Sequence, residues 1–229
     1  MVVGCSKNMH IPHEGSVVPV RKLDTATTSP AGGVERLQLA LRRATRESHH
    51  VIDHHPLMAP LVRSDLTRLE YTTALLALDW LYAPLQDELA AAIGESGGGF
   101  ELADRVAWLQ ADLVALGATA LRPQPPWTPP RLSSRAELVG ALYVIEGSTL
   151  GGQVIARRIE ASLGLTATSG ARFFNGWGAE TETRWQRFWD FAGTKCANET
   201  GMALATATAT ALFDALLRGL DQAHGRNEG

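Results

Sequence analysis

Two stretches of the chain carry side chains arranged for chemistry. The first, Thr45-Arg46-Glu47-Ser48-His49-His50-Val51-Ile52-Asp53-His54-His55, holds four of the seven histidines in 229 residues. On a helix, His49 lies on or beside the apolar face, one residue from Ser48 and three from Ile52, while His50 and His54 point away from it. Asp53 follows His49 by one turn, a spacing at which its carboxylate holds the second ring nitrogen and fixes the tautomer that a metal-bound histidine requires. Spacing alone leaves His49 as either a satisfied inner-face residue or a ligand, and the other three histidines read as a solvated helix end. The second stretch, Leu142-Tyr143-Val144-Ile145-Glu146-Gly147-Ser148-Thr149-Leu150-Gly151-Gly152-Gln153-Val154-Ile155, reads as a helix with three glycines in six residues. Each interior glycine costs roughly 0.5–1 kcal/mol relative to alanine. Such a run therefore serves either a tight helix crossing or a flat partner lying on the bare backbone of Gly147 and Gly151, four residues apart on one face. Ser148 and Thr149 add small hydroxyls beside that patch, suited to a water or a small polar ligand.

Two metal chemistries are compatible with the histidine run. His50-x-x-x-His54 has i, i+4 spacing for a divalent ion, and Glu47-x-x-His50 is half of the motif of carboxylate-bridged dimetal helical proteins. The other half is missing, since His224 is the only histidine beyond this helix on its C-terminal side. A single histidine facing an open helix suits a haem better, because the porphyrin supplies four nitrogens and needs only an axial protein ligand.

The elements that must position these groups are helical. Residues 1–33, rich in Gly, Pro, Ser, Thr and Val without period, read as a disordered extension. Val2-Val3-Gly4-Cys5 looks superficially like a lipoprotein cleavage box, but no basic start or apolar core precedes it, so it reads as coincidence. Leu37, Leu41, Ala44, Ser48 and Ile52 make a stripe at helical spacing that ends at Pro56, predicting a first helix over about 35–55. A second, capped by Ser64 or Asp65, carries Leu66 to Ile93 with a kink expected at Pro84. A third bears Leu102 to Leu116 and stops at Gly117. The proline-rich Arg122–Pro130 reads as a stiff linker. The capping box Ser134-x-x-Glu137 opens the glycine-bearing helix and Gly164 closes it. Phe173-Phe174-Asn175-Gly176-Trp177-Gly178 reads as a turn with aromatic anchors. Two more helices follow, at about 179–192 and, capped by Asn198, at about 198–221. No alternating strand pattern is present, which predicts an all-α bundle of about six helices. The domain is expected over 34–224, with 225–229 as a flexible C-terminus.

Composition narrows the function classes. At 45% hydrophobic residues the chain can bury one good core, and its net charge of −3 argues against a nucleic-acid binder. No run approaches the eighteen or so uninterrupted apolar residues of a spanning helix, so no membrane is expected. Cys5 and Cys196 are the only cysteines, which fits a reducing cytoplasm without a disulfide framework.

Leu41-Arg42-Arg43-Ala44-Thr45-x-x-x-His49-x-x-x-Asp53 resembles the proximal helix of bacterial haem oxygenases, and Tyr143-Val144-Ile145-Glu146-Gly147-Ser148-Thr149-Leu150-Gly151-Gly152 resembles their glycine-kinked distal helix. Tyr82-Ala83-Pro84-Leu85, Asp112-Leu113-x-x-Leu116-Gly117 and Phe173-Phe174-x-Gly176-x-Gly178 extend the likeness over roughly residues 37–221. The branch resembled includes enzymes that make biliverdin for bacteriophytochromes. The resemblance implies a haem oxygenase-like all-α fold with haem held between the two helices. It implies His49 as axial iron ligand, Asp53 on the proximal imidazole and Arg42 at a propionate, with Gly147, Ser148, Thr149, Gly151 and Gly152 on the distal side. The implied reaction cleaves haem with O2 and reducing equivalents from a ferredoxin- or flavodoxin-type donor, giving biliverdin, CO and ferrous iron. One departure is Ser148, which stands where members outside this branch carry a carboxylate. Proton delivery is then expected through Ser148, Thr149 or backbone-bound water. Arg187 is a loose candidate for a second propionate, and Arg42, Arg43, Arg46, Arg63 and Arg68 for a basic face that receives the donor. Alternatives of other classes are a non-catalytic haem carrier or sensor on the same fold, and a non-haem dimetal oxidase using Glu47 and His50.

Overall fold

The computed structural model describes residues 30–119, 127–196 and 198–227. Most of the expected N-terminal extension, with the Val2–Cys5 box, and the centre of the proline-rich linker lie outside them. The described residues form seven α-helices and no strand: α1 Pro30–Asp53, α2 Arg68–Glu95, α3 Arg105–Ala115, α4 Arg135–Leu163, α5 Arg172–Asn175, α6 Thr181–Lys195 and α7 Glu199–Asn227. Short 3-10 turns occupy Ala59–Val62 and Gly178–Glu180.

The helix ends follow local chemistry. Helix α1 begins at Pro30, earlier than the apolar stripe predicts; proline suits a first helical turn, where its missing N–H has no partner anyway. Helix α2 is capped by Thr67, not by Ser64 or Asp65. Thr67 Oγ1 accepts from the Glu70 N–H at 3.2 Å while the Glu70 carboxylate accepts from the Thr67 N–H at 2.8 Å, a reciprocal box that Asp65 lacks because it binds Arg63. The helix runs through Pro84 without a break. Asp104 caps α3, Ser134 caps α4 and Asn198 accepts from Gly201 N–H at the start of α7. Gly117 and Gly164 close α3 and α4 at φ +72° and +67°, a left-handed region that favours glycine.

Helix α4 is the axis of the fold, packed by α7, α6, α5 and α2, with α1 laid across α7. The tightest crossing on α4 is at Gly140, where a Cβ would collide with the Ala205 carbonyl oxygen of α7. By length and composition α4 and α7 could each cross a membrane, but here they pack against each other in the core. Leu37 and Leu41 bring α1 onto that core, and Thr45 stays buried by donating its hydroxyl to Leu41 C=O at 2.8 Å.

Candidate haem site between α1 and α4

A cavity opens where the C-terminal half of α1 faces the glycine stretch of α4. About 150 Å³ of it admits the centre of a water-sized sphere, within about 920 Å³ of atom-free space that includes open solvent. Its walls are mainly apolar: Leu78 and Leu81 from α2, Val144, Ile145 and Ile155 from α4, and Phe213 and Leu216 from α7. Phe173 and Phe174 add an aromatic corner, and Tyr82 stands edge-on to Phe173 at 5.2 Å.

That corner explains two of the sequence motifs. The buried carboxylate of Asp112, at the end of α3, accepts from the backbone N–H groups of Arg172 and Phe173 at 2.7 and 2.8 Å. These are donors that α5 cannot satisfy within itself. Burial pushes the Asp112 carboxyl upward from its ordinary range, against those two hydrogen bonds. Asp112 is therefore a splint that sets Phe173 and Phe174 against the cavity.

Polar groups are few and placed on opposite sides. On the α1 side, His49 and Asp53 both line the cavity with Nδ1 and Oδ2 3.2 Å apart. A carboxylate can only accept, so Nδ1 is the donor, and in the neutral imidazole Nε2 is left with the lone pair a metal needs. The His49 ring lies 5.5 Å from Phe213 and its side chain is 57% exposed, so it stands at the rim rather than in the core. On the α4 side Ser148, Thr149, Gly151 and Gly152 line the same space. A Cβ at Gly151 would meet nothing within 4 Å, whereas one at Gly152 would come 3.0 Å from Phe174 C=O. Gly152 thus lets α5 approach, and Gly151 keeps a patch of backbone bare toward the cavity. An imidazole with a fixed tautomer opposite bare backbone, between apolar walls, fits a flat metallomacrocycle ligated from one side.

The chain matches the sequence model of the family described as Heme oxygenase over residues 35–217. It belongs to the haem oxygenase family. A heme oxygenase of Xanthomonas campestris pv. campestris (strain 8004) is 36% identical over 117 residues, covering 51% of this chain and 67% of that protein. Among solved structures, the heme oxygenase of Leptospira interrogans superposes with a TM-score of 0.65 at 18% identity, over 81% of this chain and 98% of the other. The NO- and CO-bound heme oxygenase of Neisseria meningitidis gives 0.65 at 18%, over 84% and 92%. Heme oxygenase-1 of the cyanobacterium Synechocystis sp. PCC6803 in complex with heme gives 0.61 at 15%, over 83% and 93%. These likenesses establish the haem oxygenase fold.

The cavity between α1 and α4 gathers most, though not all, of the residues expected together. His50 in the last turn of α1 and His54 just past its end are outside the lining, exposed and in contact with each other at 4.2 Å between ring centres. Glu47 is exposed too, and no three His, Cys, Asp or Glu side chains converge on a metal position among the described residues. Gly147 does not line the cavity; its bare face receives the Trp185 ring of α6, 3.5 Å from where a Cβ would sit, so there the packing alternative holds. Arg42 does not reach the lining either. It is exposed, seven residues before His49 and thus about 10 Å back along the same helix face, where only a group projecting beyond the cavity rim could meet it. Arg187 lines a different cavity. His55, expected in solvent, is buried: its Nδ1 accepts from Leu57 N–H at 3.1 Å and its Nε2 faces Asp221 of α7 at 3.3 Å.

Sequence reading missed one charged pair. Arg105, at the first turn of α3, lines the haem-side cavity and binds Glu146 of α4 through Nη2–Oε1 at 3.3 Å, with both side chains at least 96% buried. Arg105 stands 41 residues from its partner, a separation that no helical periodicity links. The one available signal was Glu146 itself, a carboxylate within an otherwise apolar run.

Proposed function

We propose that the protein cleaves haem oxidatively, using O2 and electrons from an external donor, to biliverdin, CO and ferrous iron. The observation that carries this reading is the pairing across one apolar cavity of the Asp53-fixed His49 with the bare backbone at Gly151. Bound haem supplies the redox chemistry, with its iron as the oxygen-binding centre and its own ring as substrate. The residues of the chain do the rest. His49 Nε2 would hold the haem iron, and Asp53 orients the imidazole by accepting the Nδ1–H hydrogen bond. Gly151 leaves space on the opposite face for a small ligand. The apolar walls limit water to the few positions that polar groups can hold.

Ser148 and Thr149 act as acceptors in that space. Ser148 Oγ donates to Ile145 C=O at 2.8 Å and Thr149 Oγ1 to Glu146 C=O at 2.5 Å, so each hydroxyl proton is engaged and only the lone pairs face outward. A water held there receives hydrogen bonds from neither hydroxyl and instead donates to them. Arg42 sits where a propionate reaching past the rim would find a cation. The donor is a ferredoxin- or flavodoxin-type protein, and the site of action is the cytoplasm. The biliverdin serves as chromophore for a bacteriophytochrome.

The test is aerobic incubation of the hemin-loaded protein with a reductant while the spectrum is followed. Loss of the Soret band with growth of biliverdin absorption supports the reading. A stable ferrous-oxy or ferric spectrum favours a haem carrier or sensor, the alternative to which the commitment of the Ser148 and Thr149 protons lends weight. Absence of any hemin complex refutes both.

A further inference from the structure

Beside the haem-side cavity lies a second one, bounded by α4, α6 and the segment between α2 and α3. It has about 980 Å³ of atom-free space, part of it open to solvent, and its lining includes Phe100, Glu101, Glu146, Arg184, Arg187 and Asp190. No residue lines both cavities. They meet instead through one bond: Arg105 belongs to the first wall, Glu146 to the second, and the two form the buried ion pair described above. Such a pair is poor value for stability, since apolar residues of similar size are often as stabilising or more so. It is also incompletely matched, because Arg105 Nε is buried with no protein partner. Around Glu146 in the second cavity Arg184 is held by Glu101 at 2.7 and 3.1 Å, and Arg187 and Lys195 stand against the single carboxylate of Asp190, leaving one positive charge in excess. Within the first cavity the hydroxyls of Ser148 and Thr149 are hydrogen-bonded to carbonyls of their own helix.

We infer that the Arg105–Glu146 pair is the polar passage through which solvent protons reach the haem-side cavity from the second cavity. Resting on the haem oxygenase reading, this assigns Glu146 as the carrier and Arg105 as a positioning residue. Glu146 takes a proton from water in the second cavity and releases it to water on the haem side, returning to the carboxylate; each passage consumes one solvent proton. Arg105 stays protonated, orients the carboxylate through Nη2 and offers Nε–H to water.

The experiment compares the parent with Glu146→Gln, which keeps shape and the acceptor for Arg105, and Glu146→Asp, which keeps the charge. Each is loaded with hemin and monitored in three ways: the rate at which the ferric spectrum responds to a pH jump, the solvent deuterium isotope effect on biliverdin formation, and hemin affinity. The expected result for Glu146→Gln is a pH-jump response slowed at least about tenfold and turnover slowed on the order of a hundredfold. Hemin affinity should stay within about twofold, and Glu146→Asp should recover part of both rates. Unchanged pH-jump rate and isotope effect in both variants, with hemin bound normally, overturn the passage and leave the pair structural. Should the parent itself bind no hemin, the haem reading fails, an outcome visible before any variant is made. If Glu146→Gln does not fold, Glu146→Asp decides: a slowed response with normal affinity supports the passage, and a parental response refutes it.

Discussion

Replacing Gly151 with leucine separates a ligand-facing glycine from a packing glycine, because α4 contains one of each for comparison. At Gly151 a Cβ meets nothing within 4 Å, so the first side-chain carbon has room and removes no contact. Leucine in a helix interior is favoured over glycine by roughly 0.5–1 kcal/mol, which for a domain of this size raises Tm by about 1–4 °C. The side chain then occupies the bare patch of a cavity otherwise walled by Val144, Ile145 and Phe213. A displacement on the order of 1 Å costs about a hundredfold in rate, or about 2.7 kcal/mol, so biliverdin yield per bound haem should fall at least that far. Gly140→Ala is the control. Its new methyl collides with Ala205 C=O across the α4–α7 crossing, which offsets any propensity gain with an overpacking cost of about 1–3 kcal/mol. Tm should drop by several degrees while the yield per folded molecule stays at the parental level. Differential scanning calorimetry, hemin titration and biliverdin quantification on both variants give the answer. A Gly151→Leu protein that melts lower yet turns over normally would show that this glycine serves packing and that the reacting space lies elsewhere.

Three further outcomes are expected. His49→Ala should abolish turnover and change the axial ligation seen in the electronic and EPR spectra of the hemin complex, whereas His50→Ala and His54→Ala, outside the cavity lining, leave both within about twofold; equal loss from His50→Ala would reopen the dimetal alternative. Burial lowers the affinity of His55 for a proton relative to the unfolded chain, outweighing the pull of Asp221, so the folded state binds protons less readily than the unfolded state as pH falls through about 6.5. Stability should therefore decline on acidification from pH 7 toward 5, and the decline should be shallower in His55→Gln; identical pH slopes for the two proteins would refute the assignment. Turnover with a protein donor should weaken as salt rises while hemin affinity does not, with Arg42, Arg43 and Arg46 contributing. Arg63 should contribute little, because Asp65 and Glu70 already bind it at 2.9 and 3.1 Å; salt-independent turnover would remove the docking idea.

What the sequence makes legible here is what depends on neighbours along the chain. The α1 stripe, the Ser134, Asn198 and Gly164 boundaries and the His49–Asp53 turn all involve residues within about four positions, where helical geometry leaves little freedom. The missed features cross the fold. Thr67 outcompetes Asp65 as a cap because Asp65 is drawn to Arg63; His55 is buried because α7 brings Asp221 over it; Gly147 and Gly151, one turn apart, serve different neighbours because α6 places Trp185 over only the first. Periodicity could say that the glycine face was special but not which partner each glycine met.

The same distinction bears on how catalysis is organised without a distal carboxylate at position 148. Ser148 and Thr149 are fixed by bonds to carbonyls of their own helix, a local arrangement that any serine or threonine in a helix can adopt. In that arrangement their hydrogens point at the helix carbonyls and their lone pairs at the cavity. Arg105, a charged residue of the same lining, comes from another helix and is bound to Glu146, one residue before the first glycine. On the passage proposed above, the acid–base role falls to the joint between α3 and α4, where Arg105 of one cavity wall is bound to Glu146 of the other.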